Sequence, residues 1–372
     1  MRALVMMSGI AMGGAERNIV SVLPYIKEQG VDVRLLTLNT RRDSPLTDEF
    51  NQTGLTRHDL AAQRMLDPTA WQRFTHLLKS EQIDIIHAED QDTIVYAAVA
   101  HRLLGIPSVM SRHVLQEPSD TLKESVRAQL VLLAARVGFD RILAVSEAVR
   151  QQFSGLARVP VTRIETIYNG IQLERFQTGA GRAAKRQELG WAAADPVVIM
   201  VAVLRRGKGH EVLFEALPRI QAAVPNVKIK LVGDGELRDT LQEQAAPYGE
   251  AVEFMGQRMD VPELLGASDA LVLPSWSEAL PTVLIEAGAA SLPLVATDVG
   301  GSAEIVADGE TGYIVQPGVV APLADRLIDL LADPQQAQLM GQRAYERVNQ
   351  LFSLEQQARQ TVALYEKVLA DK

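Results

Sequence analysis

Residues 270–287, ALVLPSWSEALPTVLIEA, decide the interpretation of the fold. The stretch begins with an apolar run at Ala270–Leu273, which predicts a short buried β-strand, and it ends in a helical pattern. Pro281 suits the first turn of that helix, because a backbone N–H has no intrahelical partner there. A buried strand that leads through a loop into a helix is the repeating unit of a parallel sheet covered by helices.

The same alternation of strands and helices continues along the chain in both directions from this stretch. In the first half, strands are predicted at Ala3–Met7, Val33–Leu38, Ile83–His87, Ser108–Ser111, Arg141–Val145 and Ile164–Ile167. In the second half, they are predicted at Val197–Val203, Lys228–Val232, Val252–Met255, Ala270–Leu273, Leu294–Thr297 and Tyr313–Val315. We therefore predict an α/β fold with two doubly wound, Rossmann-like sheets.

The chain length predicts two domains, because 372 residues exceed what one ordinary core organises. Between the two halves lie Asn169-Gly170 and then Gln177–Ala184, where Gly, Ala and Gln are frequent and neither helical nor strand periodicity holds. This predicts a linker. We place the first domain at residues 1–175 and the second at 176–350, with a cleft between them. Residues 351–372 are expected to form a helix that crosses back to the first domain, since Ser353–Gln356 has the form of a capping box.

Composition excludes several classes of function. The chain has 46 acidic and 37 basic residues, a net charge of −9, which argues against nucleic-acid binding through the phosphate backbone. It has no cysteine, which excludes disulfides, thiolate metal sites and thiol catalysis and fits a reducing cytosol. The apolar run at Ala3–Met7 reads as a strand and not as a signal peptide, and no spanning helix is predicted. We expect a cytoplasmic protein whose contact with the inner face of a membrane, where there is one, is peripheral.

The loop and helix after Leu273 carry the clearest signal for chemistry. At a helix start, the free amides of Thr282 and Val283 can bind an anion such as a phosphate. Glu278 precedes the helix and Glu286 lies about one turn inside it, so two carboxylates flank this anion site. They can accept hydrogen bonds from sugar hydroxyls on either side of a diphosphate. The alternative interpretation is that both are ordinary surface glutamates.

The stretch resembles the E-x₇-E signature of family 4 of the retaining glycosyltransferases. Further similar motifs are Gly13-Gly14-Ala15-Glu16, Tyr168-Asn169-Gly170-Ile171, Lys208-Gly209-His210, Val232-Gly233-Asp234-Gly235, Gly300-Gly301 with Glu304, and Asp308-Gly309-Glu310-Thr311-Gly312-Tyr313. Together they span nearly the whole chain in the family's order. The resemblance implies a GT-B fold, in which two Rossmann-like domains face each other, and a nucleotide-diphosphate sugar as donor, with a UDP-sugar expected.

The resemblance also implies roles for the residues of the second domain. Glu286 would bind the ribose hydroxyls, and Glu278 would hold hydroxyls of the transferred sugar. The distal phosphate would be received by backbone amides around Leu280, Pro281, Thr282 and Val283. Lys208 would neutralise the diphosphate as its bond to the sugar breaks. The alternative for Lys208 is a solvated loop lysine, but the glycines on both sides of it favour close approach to a ligand.

The chain departs from the family pattern at three positions. An arginine is common five residues before the lysine, where this chain has Val203, and Arg205 or Arg206 would then supply the second cation. Ala279 stands where a glycine usually follows the first glutamate, which matters only if the loop needs a positive φ. Ser291 replaces another common glycine.

In the first domain, Gly13 and Gly14 would let backbone amides approach a phosphate or the acceptor. His113 follows a strand that points towards the expected cleft, where family members commonly use a histidine to contact the donor sugar or the acceptor. A structural histidine is the alternative for His113 and the favoured interpretation for His87. In the second domain, the segment that ends in Arg258 would pack against the nucleobase.

Three further features have ordinary interpretations beside functional ones. Asp90-Gln91-Asp92 is a D-x-D sequence, but it lies in the first domain, away from the expected diphosphate, so we predict no metal site. Basic residues cluster after the second strand, where a solvated loop is the simpler alternative to an anionic acceptor or lipid headgroups. They are Arg41, Arg42, Arg57 and Arg64.

An apolar stripe with helical spacing follows at residues 126–137. It consists of Val126, Leu130, Leu133 and Val137, and the basic residues nearby are Lys123, Arg127 and Arg136. Packing into the core and binding at a membrane interface are both open for this stripe.

These features together predict a metal-independent retaining glycosyltransferase that acts on a glycan, lipid-linked or small-molecule acceptor. No residue stands out as a covalent nucleophile, which favours a front-face displacement. One alternative is a sugar-nucleotide epimerase on the same fold. Another is a non-catalytic protein that binds sugar nucleotides.

Overall fold

The computed structural model describes residues 1–11, 13–39, 44–63, 67–116, 121–178 and 181–371, with the exception of the side chain of Lys123. The chain divides into two compact units. Residues Met1–Gly170 and Leu354–Lys372 form the first unit, and residues Ile171–Ser353 form the second. The division falls at Gly170, so the stretch Gln177–Ala184, where a linker is predicted, belongs to the second unit.

The first unit contains a parallel sheet in the order β3-β2-β1-β4-β5-β6-β7. Its strands are β1 (Arg2–Met7), β2 (Asp32–Thr37), β3 (Arg57–Asp59), β4 (Ile85–Ala88), β5 (Ser108–Arg112), β6 (Arg141–Ala144) and β7 (Ile164–Thr166). The helices between them are α1 (Gly14–Glu28), α2 (Leu46–Gln52), α3 (Pro68–Ser80), α4 (Gln91–Leu104), α5 (Leu122–Val137) and α6 (Glu147–Ala157), with a 3₁₀ turn at Val161–Arg163. The order reverses between β1 and β4, which are hydrogen-bonded neighbours.

The second unit repeats this design with the order β10-β9-β8-β11-β12-β13. Its strands are β8 (Val197–Val201), β9 (Lys228–Val232), β10 (Val252–Gly256), β11 (Ala270–Leu273), β12 (Leu294–Thr297) and β13 (Gly312–Val315). Its helices are α7 (Arg182–Glu188), α8 (His210–Ala223), α9 (Arg238–Ala245), α10 (Val261–Ala267), α11 (Thr282–Ala289), α12 (Ser302–Ile305), α13 (Val320–Ala332) and α14 (Pro334–Leu351), with 3₁₀ turns at Leu173–Phe176 and Ala246–Ala251. Here the order reverses between β8 and β11, which are also neighbours.

The last helix, α15 (Leu354–Ala370), belongs to the first unit. It packs against α1, and a buried amide pair joins the two helices: Asn18 Nδ2 donates to Gln357 Oε1 over 2.9 Å, and Gln357 Nε2 donates back to Asn18 Oδ1 over 2.8 Å. The same Gln357 oxygen accepts a hydrogen bond of 2.7 Å from the backbone N–H of Gly170. Together these hydrogen bonds hold Gly170, where the N-terminal segment of the first unit ends, against α15.

All twelve predicted strands are confirmed, with bounds that agree to within two residues at each end. Their near-continuous apolar runs are typical of parallel strands that are buried on both faces. The structure adds β3, which was not predicted, because three residues with the polar sequence Arg-His-Asp give no recognisable period. Arg57, predicted to lie in an unpatterned loop, is in this edge strand, and its guanidinium donates to Thr37 Oγ1 over 3.1 Å. Arg41, Arg42 and Arg64 lie outside the described residues.

The apolar stripe of α5 does not pack into the core. Each of its four residues, Val126, Leu130, Leu133 and Val137, is exposed. The first of the two interpretations left open for the stripe is therefore wrong, because the buried face of α5 is formed by other residues, among them Val131 and Ala135. Across the described ranges, none of the helices combines the length and the apolar character needed to cross a membrane.

Candidate active site

The loops that follow β8 and β11 form the candidate site of the second unit. In doubly wound sheets, ligands bind beyond the carboxyl ends of the strands at the point where the strand order reverses. Lys208 lies on the loop after β8, and Glu278 lies on the loop after β11. The two strands are adjacent, so both predicted residues lie at this point of reversal.

Lys208 and Glu278 form a largely shielded ion pair. Lys208 Nζ lies 2.6 Å from Glu278 Oε1, and the two side chains are 15% and 12% exposed. The hydroxyl of Ser275, which is fully buried, donates to the same Oε1 over 2.8 Å. Among the described residues, Glu278 Oε2 has no hydrogen-bond partner, and the ammonium of Lys208 has further N–H donors to offer. Both groups thus keep capacity for a ligand.

Two glycines bring the lysine loop against the glutamate loop. A Cβ at Gly209 would lie 1.9 Å from the carbonyl oxygen of Pro274, and φ at Gly209 is +75°, so a side chain is excluded on both grounds. The carbonyl of Gly207 accepts a hydrogen bond of 2.9 Å from the N–H of Trp276. The glycines around Lys208 thus bring one loop against the other, and the close approach of a ligand to Lys208 stays a prediction.

The helix α11 begins beside this ion pair and has no side-chain cap. It starts at Thr282, so Pro281 precedes the helix by one residue and does not lie in its first turn as predicted. A cavity of about 220 Å³ is lined by Lys208, Glu278 and the helix start. Thr282 and Val283 are half-buried at its wall, and their amides belong to the helix end that lacks intrahelical acceptors. An anion in this cavity would meet a helix N-terminus and a lysine together.

Glu286 lies one turn further along α11. It is four residues after Thr282 and three after Val283, so the three side chains share one face of the helix. It is half-buried and makes an interaction within the protein. As predicted, Glu278 lies before the helix and Glu286 lies inside it, on its second turn.

The positive charge at the site comes from lysine and not from the neighbouring histidine. Burial lowers the pKa of His210 to about 4, so this residue is neutral near pH 7. Arg205 and Arg206 are exposed on the same loop as Lys208, and neither forms an ion pair within the described part of the chain. Val203, where the family pattern has an arginine, is exposed as well.

Arg258, the predicted contact of the nucleobase, is held in an ion-pair cluster. Its guanidinium donates two hydrogen bonds, of 2.8 and 2.7 Å, to the two carboxylate oxygens of Asp260. Lys185 Nζ lies 2.6 Å from the same carboxylate. The hydrogen bonds from Arg258 and Lys185 lower the pKa of Asp260. These hydrogen bonds use Nε and Nη2, so Nη1 and the face of the planar guanidinium are left for a base.

The two other departures from the family pattern differ in their backbone. Ala279 is not among the described residues with a positive φ, so the methyl group that replaces the usual glycine causes no strain there. Ser291 has φ of +58°, a conformation that favours glycine. Its carbonyl is also the atom that a Cβ at Gly341 would meet, at 1.9 Å.

In the first unit, Gly13 is the cap of α1 and Gly14 is its first residue. Gly13 has an extended backbone and provides no side-chain cap. A Cβ at Gly14 would meet no atom within 4 Å, whereas one at Gly13 would meet the flexible carboxylate of Glu16. These glycines leave the helix start open without requiring a special backbone conformation.

His113 directly follows β5 and is held by a carboxylate that was not predicted. Its Nε2 lies 2.9 Å from Glu89 Oε2, while its Nδ1 is buried and has no hydrogen-bond partner within the described residues. Burial alone would raise the pKa of Glu89, but the neighbouring His87 and His113 and the hydroxyl of Ser111 outweigh it and lower the pKa to about 2. An ionised Glu89 accepts from Nε2–H, so Nδ1 is the ring atom left for another partner.

His87 is engaged within the protein at both ring nitrogens. Nδ1 lies 2.7 Å from the hydroxyl of Tyr365 on α15, and Nε2 lies 2.8 Å from Ser111 Oγ. Burial lowers the pKa of His87 and raises that of Tyr365. This geometry agrees with the structural interpretation of His87. Neither Glu89 nor Tyr365 belongs to a recognisable motif, so only their position in the fold reveals them.

The two carboxylates of the D-x-D sequence have roles inside the fold. Asp90 caps α4 by accepting from the amides of Asp92 and Thr93, and it also accepts a hydrogen bond of 2.8 Å from Ser8 Oγ. Asp92 forms an ion pair with Arg127. The described residues contain no group of three or more side chains placed to bind a metal ion.

Comparison with known proteins places both units in known families. Residues 12–175 match the model described as Glycosyltransferase Family 4, and residues 181–347 match the model described as Glycosyl transferases group 1. The chain is 32% identical over 234 residues to N-acetyl-alpha-D-glucosaminyl L-malate synthase of Bacillus anthracis, an alignment that covers 62% of this chain and 61% of that enzyme. This chain thus spans only about three fifths of that relative.

A second relative, glycogen synthase of Mycobacterium tuberculosis, is 30% identical over 298 residues, with 77% of this chain and 69% of that enzyme covered. Among solved structures, HepE of Anabaena in complex with UDP superposes with a TM-score of 0.86 at 24% identity, over 99% of this chain and 100% of HepE. HepE has also been solved with UDP-glucose. The structural likeness confirms the predicted GT-B fold, and the sequence matches show that the chain belongs to glycosyltransferase family 4.

Proposed function

We propose that this glycosyltransferase uses a nucleotide-diphosphate sugar, and specifically a UDP-sugar, and transfers the sugar with retention to a hydroxyl of a glycan, lipid-linked or small-molecule acceptor. The names of the relatives refer to synthesis of N-acetyl-alpha-D-glucosaminyl L-malate and of glycogen, and the HepE complexes contain UDP and UDP-glucose. These names describe other proteins, and the ligands of HepE support a UDP-sugar donor here.

The ion pair of Lys208 and Glu278 beside the start of α11 is the observation that carries this proposal. A diphosphate needs positive charge and N–H donors, and a sugar needs a hydrogen-bond acceptor. The site offers the ammonium and the helix amides to the phosphates and Oε2 of Glu278 to a hydroxyl. Lys208 is paired with Glu278 and lines the same cavity as the start of α11. Its positive charge would therefore screen the glutamate from the negative charge of a bound phosphate.

Transfer needs the leaving group to be stabilised. As the bond from the sugar C1 to the phosphate oxygen breaks, negative charge develops on the diphosphate, where Lys208 and the amides of Thr282 and Val283 stabilise it. The acceptor oxygen forms the new bond to C1 on the same face, and its proton passes to the departing phosphate oxygen. This front-face displacement retains the anomeric configuration and releases the nucleoside diphosphate. Glu286 would hold the ribose throughout.

His113 is proposed to contact the donor sugar or the acceptor, with Glu89 fixing its tautomer. Because Glu89 accepts from Nε2–H, Nδ1 is the ring atom that is left for the sugar or the acceptor. Gly13 and Gly14 would add the open start of α1 as a second group of amides. Both assignments rest on the family pattern together with the position of these residues at the carboxyl edge of the first sheet.

Metal independence is part of the proposal. Lysine and helix amides supply the positive field that a divalent ion supplies in enzymes with a functional D-x-D site, and Asp90 and Asp92 are engaged with Ser8 and Arg127. Transfer should therefore survive excess EDTA, measured as nucleotide release in an acceptor-dependent assay. A loss of activity that Mn²⁺ or Mg²⁺ restores would contradict this part of the proposal.

The decisive experiment incubates the full chain with UDP-glucose and a panel of acceptors and follows UDP release and the NMR coupling of the new anomeric proton. Retaining transfer predicts UDP release only with acceptor, and an α-linked product from an α-linked donor. Inversion of the anomeric centre would overturn the proposed mechanism. Conversion of the sugar nucleotide without any acceptor would indicate the epimerase, and binding without turnover on every acceptor would indicate the non-catalytic protein.

A further inference from the structure

Trp276 is a large aromatic side chain beside the candidate site that the proposed reaction does not use. It lies on the loop after β11, two residues before Glu278, and 48% of it is exposed. A side chain left half in solvent buries less apolar surface than a core residue, so burial alone does not explain a tryptophan at this position. The contacts that it makes with two neighbouring loops explain it better.

Two hydrogen bonds of Trp276 reach the loop of Lys208, one on each side of the lysine. The backbone N–H of Trp276 donates to the carbonyl oxygen of Gly207 over 2.9 Å. The indole N–H donates to Glu211 Oε1, also over 2.9 Å, at the first turn of α8. Lys208 lies between these two acceptors in the sequence. One residue of the glutamate loop therefore holds the lysine loop on both sides of the lysine.

The indole also packs against a third loop, which joins β13 to α13. A Cβ at Gly318 would come within 3.2 Å of three carbons of the six-membered ring, Cζ2, Cζ3 and Cη2. Gly318 has φ of +74°, so both the backbone and the available space favour glycine there. An added methyl group would displace the indole. Gly318 thus lets the third loop support the ring from which the indole N–H reaches Glu211.

The glutamate loop is anchored independently of the indole. Thr297 Oγ1 on β12 donates to the carbonyl oxygen of Ser275 over 2.5 Å, and the N–H of Gly301 donates to the carbonyl oxygen of Ala279 over 3.1 Å. These two hydrogen bonds lie on either side of Glu278. Loss of the indole should therefore disturb the lysine loop more than the glutamate loop.

We propose that Trp276 is a positioning residue, which holds Lys208 in the place from which it stabilises the leaving diphosphate. A cation lowers the barrier most when it is preorganised, because a lysine that has to reorient during the reaction loses part of its effect. The hydrogen bonds to Gly207 and Glu211 and the support from Gly318 supply this preorganisation. The inference rests on the proposed role of Lys208 in transfer, and Trp276 acts through the lysine and not on the substrate.

Variants of Trp276 and Glu211 test the indole hydrogen bond in acceptor-dependent UDP release. Trp276→Phe keeps a ring but loses the indole N–H, so kcat should fall about fivefold while the KM for the acceptor stays the same. Glu211→Leu should match it, whereas Glu211→Gln keeps an acceptor oxygen and should stay close to the parent. The double variant Trp276→Phe/Glu211→Leu should lose no more than either single variant, because all three break the same hydrogen bond.

A second pair of variants tests the support from Gly318. Gly318→Ala places a methyl group in the space of the indole, so kcat should fall about as much as in Trp276→Phe. Gly190→Ala is the matched control: φ is +69° at Gly190, but no atom lies within 4 Å of a Cβ there. Both alanine variants should lose similar stability in thermal unfolding, because both strain a left-handed backbone. Only Gly318→Ala should lose kcat.

Hydrogen–deuterium exchange of the protein without ligands follows the two loops without any reaction. In Trp276→Ala, the amides of residues 205–209 should exchange about fivefold faster than in the parent, because opening this loop no longer breaks the indole hydrogen bond. The amides of residues 278–280 should exchange as in the parent, since their loop keeps its other anchors.

The proposal is overturned if exchange at residues 205–209 is unchanged in Trp276→Ala, or if Trp276→Phe and Glu211→Leu keep the parental kcat. Equal losses of kcat in Gly318→Ala and Gly190→Ala would also overturn it, since they would reflect strain alone. A raised KM for the acceptor with parental kcat would indicate instead that a sugar stacks on the exposed indole. A parent without turnover would contradict the proposed function, and the exchange experiment would still decide whether Trp276 holds the lysine loop.

Discussion

At the carboxyl edge of the second sheet, Lys208 and Glu278 form one ion pair and keep hydrogen-bonding groups that no atom of the described residues uses. At the same edge of the first sheet, by contrast, His87, Glu89 and Ser111 interact with one another. Both clusters lie where parallel strands end. The difference indicates two kinds of task. Spare donors and a spare carboxylate oxygen suit a charged and hydroxylated ligand, while a closed network suits the fixing of one imidazole, His113, in one tautomer.

Because the cluster around His113 is bonded within the protein, substitutions there should have different effects from substitutions at Lys208 and Glu278. Substitutions in the second unit should change how the nucleotide sugar is bound and how its leaving group is stabilised. Substitutions around His113 should leave nucleotide affinity unchanged and alter turnover or stability in acid. Variants on each side therefore sharpen or break the comparison.

The largest effect is expected from Lys208→Ala. The variant loses the cation that stabilises the leaving diphosphate, and the loss of one preorganised donor of this kind lowers kcat by about 10²–10³-fold. Steady-state rates of UDP release with acceptor give the measurement. Lys79→Ala, an exposed lysine on α3, is the control and should behave like the parent. A Lys208→Ala variant with parental kcat would remove the lysine from the reaction.

The two glutamates of the second unit should separate ground-state binding from turnover. Glu286→Ala removes hydrogen bonds to ribose that are present before and during the reaction, so KM should rise by about 10- to 100-fold, which corresponds to roughly 1.5–3 kcal/mol. Glu278→Gln keeps the shape but weakens the contact to the sugar as positive charge develops there, so kcat should fall while UDP still binds. Identical kinetics for both variants and the parent would mean that the pair lies on an ordinary surface.

Glu89→Gln should lower kcat by about tenfold and leave UDP affinity unchanged, because it perturbs only the tautomer and orientation of His113. It should also change stability in acid. The pKa of Glu89 is lowered from 4.5 to about 2, so its ionised form stabilises the fold above pH 4.5, and this contribution is lost as the pH falls towards 2.

Urea unfolding between pH 5 and 3 measures the acid effect of this substitution. The free energy of unfolding should fall less steeply with decreasing pH in the variant than in the parent. Glu215→Gln, an exposed carboxylate on α8, serves as the control and should follow the parent. If the free energy of unfolding had the same pH dependence in Glu89→Gln and in the parent, the interactions of Glu89 with His87 and His113 would not stabilise the fold.

The smallest effect is expected from Ser291→Gly. Ser291 has φ of +58°, a conformation that destabilises the folded state of a residue with a side chain by roughly 1–2 kcal/mol. Glycine removes this strain, but its greater conformational entropy in the unfolded chain offsets part of the stabilisation. The net stabilisation should be about 0.5–1 kcal/mol, visible as a small rise in Tm. Ser291→Ala keeps the Cβ and should show no rise. A Tm below that of the parent for the glycine variant would contradict this account of the backbone.

Local patterns were sufficient to predict most of the fold. Parallel strands such as β8, with the sequence VVIMV, carry their own signal because both of their faces are buried. Lys208 and Glu278 could be predicted because each lies in a short motif at the end of such a strand. In contrast, β3 has three polar residues and is defined only by its pairing with β2.

The features that sequence reasoning missed depend on distant partners. Glu89 acquires its role from His113 and Ser111 on the next strand, and Tyr365 reaches His87 from the opposite end of the chain. Arg258 is engaged by a carboxylate two residues away and lies in a cluster with Lys185. Similarly, the spacing of the α5 stripe cannot distinguish a buried face from an exposed one, because that depends on what packs against it.

The central claim is that Lys208 shields Glu278 from a bound diphosphate, and calorimetric titration of UDP into four proteins tests it most directly. They are the parent, Lys208→Ala, Glu278→Gln and the double variant. Loss of Lys208 should weaken UDP binding by about 10- to 100-fold, since roughly 1.5–3 kcal/mol is lost with a charged hydrogen bond. The double variant should bind UDP more tightly than Lys208→Ala, because no unscreened carboxylate remains beside the phosphate. Equal UDP affinity in all four proteins would contradict the claim and place the diphosphate elsewhere.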